Sequence, residues 1–201
     1  MKKIDKVLLI NTHLTYPNWS EGALNNVFIQ IAKIFFESKS VQILETNIET
    51  GYTPEEEVEK HLEADIVILQ MPVNWFGAPW IYKKYVDEVF NSGLLSEKFL
   101  VGDGRTRTDP SKQYGTGGKM YGKKFMVCAT WNAPAEAFDN PDQQLLQGKG
   151  IADLLLNITS NYRFCGYEIL SGYNCFDIFK SGDISKDIEN YPNHLSTVCN
   201  L

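Results

Sequence analysis

The apolar residues of this chain follow two different periods. Five short runs are rich in apolar residues, and the first of them, KVLLIN, is typical of a strand buried on both faces of a parallel sheet. They lie at residues 6–11, 41–44, 64–70, 124–129 and 167–170. We therefore expect five strands, each ending where the sequence turns polar or glycine-rich.

The segments between these runs carry apolar residues at helical spacing. The first predicted helix starts at Gly22, and its expected buried positions are Leu24, Val27, Phe28, Ile31, Ile34 and Phe35. Residues 53–56 (TPEE) join a cap residue to a proline at the first helical position, which predicts a second helix start. Further helices are expected at 79–91 and after Asp183. Residues 139–141 predict another start, interrupted by glycines at 148 and 150.

Regular alternation of strand and helix predicts an α/β protein whose parallel sheet is covered on both faces. The expected fold is a flavodoxin-like three-layer sandwich with a five-stranded sheet in the order 2-1-3-4-5, in a single domain spanning residues 1–201. Such a sheet binds ligands at the switch between its first and third strands. The polar, glycine-rich segment 91–121 does not fit this alternation, and connections of that length are usually functional.

Charge and composition exclude several classes of protein. The net charge is −6, and no cluster of Lys and Arg forms a continuous stripe, so nucleic acid is not an expected partner. No leader segment or membrane-spanning run is evident, and the four widely spaced cysteines suggest reduced thiols in the cytoplasm and no metal site. His61 and His194 are expected to be structural. His13 lies closer to the expected ligand crevice.

The loop after the first strand, residues 12–21, leads into the helix at Gly22. Ser20 is expected to cap that helix, and the free amides of Gly22 and Ala23 would hold an anion such as a pyrophosphate. An ordinary capped helix at a surface loop is the alternative. The chain contains neither GxGxxG nor GxxxxGK[ST], so a Rossmann NAD site and a P-loop are not supported.

Two further loops follow buried strands at the same expected edge. Pro72 and Gly77 bracket a turn in which Trp75 and Phe76 could stack on a flat ring, with the amides of residues 73–76 bonding its polar edge. Burial of the two aromatic residues in a core under the loop is the alternative. The loop at residues 130–134 again combines an aromatic residue with an amide. Together the three loops predict a flat, anionic cofactor such as a flavin.

Four segments carry a resemblance to a known family. They are MPVNWFGAPW (71–80), YKKYVDEVF (82–90), DGRTRTDPSKQYGTGG (103–118) and TWNAPAEAF (130–138). They closely resemble the modulator of drug activity B family, which are bacterial NADPH:quinone reductases of the flavodoxin-like superfamily. The resemblance spans nearly the whole chain.

The resemblance implies a set of cofactor-binding residues. Those near the FAD pyrophosphate would be Ser20, Gly22, Ala23, Leu24 and Asn25. Those near the isoalloxazine would be Pro72, Val73, Asn74, Trp75 and Phe76 on one side and Thr130, Trp131, Asn132 and Ala133 on the other. Tyr114 would close the site. The chain departs from its relatives at Trp19, where they have a histidine, and at Val73-Asn74, which puts substrate preference in doubt.

The implied activity is the two-electron reduction of a quinone by NADPH. Hydride would pass through the N5 atom of FAD, and no side chain need act as a nucleophile. The resemblance also implies a homodimer to which the helix from Pro79 contributes. The alternatives are an azo- or nitro-reductase, with FMN as the other flavin, and a flavodoxin-type electron carrier that is not an enzyme.

Overall fold

The computed structural model describes residues 3–180 and 183–201. It contains six strands, which are β1 (Lys6–Asn11), β2 (Gln42–Asn47), β3 (Ile66–Pro72), β4 (Lys124–Thr130), β5 (Glu168–Ile169) and β6 (Tyr173–Cys175). Its helices are α1 (Ala23–Ser38), α2 (Pro54–Glu63), α3 (Trp80–Leu95), α4 (Ile151–Leu154), α5 (Leu156–Cys165) and α6 (Ile184–Cys199). None of the helices in these residues is long and apolar enough to cross a membrane.

The strands form one parallel sheet in the order β2-β1-β3-β4-β5, which confirms the predicted topology. The side chains of β1 and β3 alternate between two apolar layers, as the period of a strand requires. Val7 and Leu9 face α1 and α6, whereas Leu8 and Ile10 face α2, α3 and α5. The sheet is therefore covered by helices on both sides.

The last strand differs from the prediction of one run at 167–170. Two short segments replace it, because β5 pairs only with the start of β4 and β6 pairs with its end. Between them, the backbone at Gly172 lies so close to the Val127 carbonyl that a β-carbon would sit 2.8 Å from the oxygen. The sheet consequently has six strands, and the chain after β6 leaves at the same edge as the chain after β4.

Two helix predictions were wrong in detail. The segment after residues 139–141 forms turns, because Gln147 and Gly148 take left-handed backbone angles (φ 49° and 82°) that end any helix there; the helix begins only at Ile151. In α1, Val27 and Ile34 are exposed, and Asn25, Ile29, Ala32 and Phe36 join Phe28 and Phe35 on the buried face. The helix starts at Thr53 and Asp183 are confirmed. Asp183 caps α6 by accepting from the Lys186 amide, whereas Thr53 occupies the cap position of α2 without a side-chain hydrogen bond to the described residues.

A buried polar network joins α2 to Tyr85 of α3 and to Tyr167, which follows α5. Glu57 is buried and accepts hydrogen bonds from Thr46 and from the Tyr85 hydroxyl, both at 2.8 Å. Because Tyr85 donates to Glu57, its oxygen accepts from His61 Nε2 at 3.0 Å, which leaves His61 Nδ1 to accept from the Tyr167 hydroxyl, also at 3.0 Å. A neutral His61 therefore satisfies both tyrosines.

His61 makes the stability of the protein depend on pH. Burial, followed by the nearby charges of Lys123 and Lys60, lowers the pKa of His61 from 6.5 to about 3. The unfolded chain thus binds a proton between pH 6.5 and 3 that the folded chain does not. His61 should cost about 1.4 kcal/mol of unfolding free energy for each pH unit that the pH falls within this window.

We predict that His61→Gln flattens the acid side of the stability profile, since glutamine keeps one donor and one acceptor but does not titrate there. Urea unfolding between pH 4 and 8 measures the slope of unfolding free energy against pH. His194→Gln serves as the comparison variant. Burial also lowers the pKa of His194, but this residue is only partly buried and bonds a single carbonyl, that of Ser171, so its replacement should flatten the profile less than His61→Gln does. Equal slopes for wild type and His61→Gln would contradict the assignment.

Candidate active site

A cavity of about 780 Å³ opens at the carboxyl ends of β1, β3 and β4. In the three loops after these strands, its walls include every residue that the resemblance assigned to cofactor binding, which are Ser20, Gly22, Ala23, Leu24 and Asn25, residues 72–76 and residues 130–133. Tyr114 is not among them. The three loops therefore share one space, although they are far apart in the sequence.

The first loop is held from beneath by His13. The imidazole lies against Gly22 so closely that a β-carbon there would be 2.5 Å from Nδ1, and Gly22 also has a left-handed φ of 77°. The Nε2 atom of His13 lies 3.3 Å from the Ser20 carbonyl oxygen and 3.4 Å from the Ser20 hydroxyl. Glu49 fixes the outer part of the loop by accepting from the amide and the hydroxyl of Thr15. His13 is thus a buried support of this loop.

The prediction that Ser20 caps α1 is wrong. Gly22 occupies the cap position, no side chain caps the helix, and the Ser20 hydroxyl turns towards His13 instead. The first amides of α1 are consequently left for another acceptor, and the first turn contains no acidic residue. Such a helix start favours an anion.

The second loop contains a tight turn made by Trp75 and Phe76. Asn74 and Gly77 exchange two backbone hydrogen bonds of 2.9 and 3.2 Å, and the two residues between them have φ angles of 50° and 65°. This is a type I′ turn, which normally requires Asn-Gly because side chains are strained at positive φ. Trp75 is 91% exposed and Phe76 is 49% exposed, so the alternative prediction, that both rings are buried in a core under the loop, is wrong.

The third loop supplies a rigid wall. Trp131 is buried, its indole nitrogen donates to Asn174 at 2.9 Å, and its amide donates to the carbonyl of Cys175 at 2.8 Å. The Val73 amide bonds the Thr130 carbonyl at 2.9 Å, which joins the second loop to the third. The buried Thr130 hydroxyl beside this junction has no hydrogen-bond partner among the described residues.

The far side of the cavity was missed by sequence reasoning. It is formed mainly by apolar residues from two segments, and its principal members are Phe138, Leu145, Leu146, Ile178, Phe179 and Lys180. The sequence did carry a hint of the second segment. Had a further strand been predicted after Gly172, residues 176–180 would have been expected to leave the sheet at the same edge as the other loops.

Tyr114 lies at the opposite edge of the sheet. Its ring contacts Phe164 near the end of α5, with 5.2 Å between the ring centroids, and is 68% exposed. The segment that carries it rejoins the sheet where the Lys124 amide bonds the Asp65 carbonyl, next to the start of β3. The cavity lies at the other end of that strand, about 20 Å away for its seven residues.

An open parallel sheet of this order, with its cavity at the switch between β1 and β3, defines the flavodoxin-like class of proteins. The flavodoxin-like fold family matches residues 5–197, and the chain belongs to that family. The chain is also 38% identical over 179 residues to the NADPH:quinone oxidoreductase MdaB of Haemophilus influenzae, covering 89% of this chain and 92% of the relative. The resemblance read from the four motifs is thereby confirmed.

Solved structures agree on the fold. A Klebsiella pneumoniae protein described as a candidate quinone reductase superposes with a TM-score of 0.77 at 22% identity, over 96% of this chain and 84% of that one. An azoreductase of Bacillus anthracis superposes with a TM-score of 0.62 at 13% identity, over 98% of this chain and 99% of that one. At these identities the likeness establishes the fold alone.

We predict that Trp75→Asn/Phe76→Gly stabilises the protein while damaging the site. The preferred turn sequence removes the strain of two positive φ angles, which is worth about 1–2 kcal/mol of unfolding free energy. Retention of a flat cofactor should fall about tenfold with the loss of both rings. Thermal unfolding of the cofactor-free protein and cofactor titration measure the two effects.

Phe179→Gly is the matched control, because Phe179 is 67% exposed and lines the same cavity without a positive φ. Glycine at that position should lower stability, since the unfolded chain gains freedom and no strain is relieved. A double variant at Trp75 and Phe76 that is less stable than wild type would refute the strain argument.

Proposed function

We propose that this protein is an FAD-dependent NADPH:quinone oxidoreductase. The observation that carries the proposal is the pairing, in one cavity, of an uncapped helix start with an exposed aromatic turn. The helix start suits a pyrophosphate, and the aromatic turn suits a planar ring. The Haemophilus relative, whose name describes this reaction, supports the same assignment.

The residues of the cavity fit a flavin. The amides of Ala23, Leu24 and Asn25 would receive the phosphates, and the turn at Trp75 and Phe76 would flank the isoalloxazine opposite the wall at Trp131. The unpartnered Thr130 hydroxyl leaves a polar group beside the ring site. When bound, the flavin supplies the hydride chemistry at its N5 atom.

The size of the cavity favours FAD over FMN. FMN would end at the first phosphate, at the start of α1. The cavity continues beyond that point to Phe179, Lys180 and Ile184, which offer an apolar surface and a cation for an adenylate group. This extension supports FAD as the cofactor.

The chain's own residues would bind and orient the reactants. Among the described residues, the lining of the cavity includes no histidine, cysteine or tyrosine, and its charged members are Glu21 and Lys180. His13 lies buried behind the loop, where it supports Gly22 and Ser20. The mainly apolar walls would exclude water from the ring, and no nucleophilic side chain is required.

We further propose that the protein works as a homodimer in which Tyr114 serves the partner's cavity. The outer face of α3 exposes Trp80 at one end and Leu95 at the other. A two-fold axis across this face would run the two helices antiparallel. Because α3 is about 24 Å long, this arrangement would bring the Tyr114 edge of one copy to the cavity edge of the other.

The cofactor and the reaction are tested with one pair of variants. Ala23 is exposed in the first turn of α1, so Ala23→Glu places a carboxylate where the phosphates would bind, while the helix tolerates it. We predict that wild type and Ala23→Gln purify with a flavin absorbance spectrum, oxidise NADPH with menadione and release FAD by mass. Ala23→Glu should be folded and colourless. A colourless wild type that no flavin reconstitutes would refute the proposal.

The same assay separates the alternative functions. An azo dye and a nitroaromatic compound, used as acceptors beside menadione, would report an azo- or nitro-reductase if they turned over faster than the quinone. Multiple turnovers of NADPH without a second protein would exclude an electron carrier. The azoreductase fold neighbour makes the azo dye the more informative of the two other acceptors.

The shared site predicts complementation between two defective variants. Alone, Ala23→Glu should be inactive and Tyr114→Ala should be weakly active. Co-expressed in equal amounts, they should recover about a quarter of wild-type turnover, because half of the dimers are mixed and each of these has one complete site. Activity no greater than the average of the separate variants would contradict a partner role for Tyr114.

A further inference from the structure

A second cavity lies at the edge of the sheet away from the first. It occupies about 1010 Å³ within residues 101–119, which we name the basic loop. Four charged residues line it, namely Asp103, Arg105, Lys112 and Lys119. None of these residues lines the first cavity.

The charge of this cavity is positive, in contrast to the chain as a whole. Arg105 bonds Asp103 through two guanidinium nitrogens at 2.9 and 2.6 Å, so the two charges cancel, and the pairing lowers the pKa of Asp103. Lys112 and Lys119 make no ion pair within residues 3–180 and 183–201. Two uncompensated cations therefore face one cavity of a protein with a net charge of −6.

The nearby acid does not neutralise these lysines. Asp109 belongs to the basic loop but does not line the cavity, and its carboxylate accepts from the amide and the hydroxyl of Ser111. The Lys119 ammonium donates to the carbonyl of Glu97 at 2.7 Å, which fixes its position and leaves its charge in place. The cavity thus offers two ammonium groups, of which that of Lys119 is held in place by a hydrogen bond.

The basic loop is tightly built. Its two limbs join where the Val101 amide bonds the Gly117 carbonyl at 2.8 Å. At Gly117 a β-carbon would lie 2.4 Å from the carbonyl oxygen of Gly102, so only glycine allows this approach of backbone to backbone. Thr116 donates to the Gln113 carbonyl at 2.8 Å. A site that is already shaped loses little entropy when a ligand binds.

Arg105 connects this cavity with the proposed active site. While one side of its guanidinium holds Asp103, the group also lies over the ring of Tyr114, 5.4 Å from the centroid. In the proposed dimer, Tyr114 reaches the partner's flavin. The second cavity would then lie within a nucleotide's length of the ring to which the donor must deliver its hydride.

We propose that the second cavity binds the 2′-phosphate of the NADPH donor and thereby selects NADPH over NADH. The inference rests on the proposed function and names the residues that would set its donor preference. A phosphate monoester carries up to two negative charges, and lysine ammonium groups bind such a group as point charges. Lys112 and Lys119 supply two of these.

The donor also has a pyrophosphate, which NADPH and NADH share. A contact to that group would lower the use of both donors equally, whereas a contact to the 2′-phosphate would affect NADPH alone. The comparison of the two donors therefore identifies which anion the lysines bind.

We predict that Lys112→Gln raises the KM for NADPH about tenfold, as expected for one charge-assisted hydrogen bond, with kcat and the KM for NADH unchanged. Lys98→Gln is the matched control, because Lys98 lies just before the basic loop, does not line the cavity and pairs with Glu59. It removes the same charge and should leave the preference for NADPH unaltered. If Lys112→Gln raised the KM for NADH as much as the KM for NADPH, or raised neither, the proposal would be overturned.

Calorimetry on the holoprotein gives a readout that does not depend on turnover. Adenosine 2′,5′-bisphosphate should bind wild type more tightly than adenosine 5′-monophosphate, and Lys112→Gln should abolish that difference. Equal binding of the two nucleotides by wild type would overturn the proposal. An inactive protein that still prefers the bisphosphate would count against quinone reduction and leave the phosphate site supported.

Discussion

The parallel pairing of β3 with both β1 and β4 is the constraint on which the rest of this molecule depends. Its register sets Asn11 beside Gln70 and Pro72 beside Thr130, so the loops after β1, β3 and β4 leave the sheet at the same edge. The ladder continues by one residue into the loops, where the amides of Thr12 and Val73 bond neighbouring strands. A one-residue slip of β3 would reverse its faces and destroy the cavity and the core together.

Strained residues and fully hydrogen-bonded residues lie towards opposite ends of this sheet. At the carboxyl edge, Trp75 and Phe76 adopt backbone angles that are unfavourable for residues with side chains, and the buried Thr130 hydroxyl finds no partner in residues 3–180 and 183–201. Towards the other end, Glu57 and His61 are fully engaged by their hydrogen-bond partners. Strained residues persist only where the surroundings determine them fully, and the well-packed layers beneath provide that support.

The sequence predicts those parts of this structure that depend on local chemistry. The strand at residues 6–11 is confirmed at both ends because a continuous apolar run has no other stable position in such a sheet. The exposure of Ile34 could not be predicted, since α1 carries two overlapping apolar stripes. In the folded protein the stripe that includes Ala32 is buried against the sheet, which leaves Ile34 in solvent. The conformation of the turn at Trp75 and Phe76 could not be predicted either, because a pair of aromatic residues does not indicate positive φ angles.

The position of Tyr114, in contrast, follows from topology that the sequence does contain. In a parallel sheet each helix returns the chain to the edge where the next strand begins, so any segment between α3 and β4 must lie at the amino edge. A flavin at the carboxyl edge is out of reach of such a segment within one copy. If residues of the basic loop take part in the reaction, a second copy is therefore a requirement of the topology, and the long connection between α3 and β4 has a reason to exist.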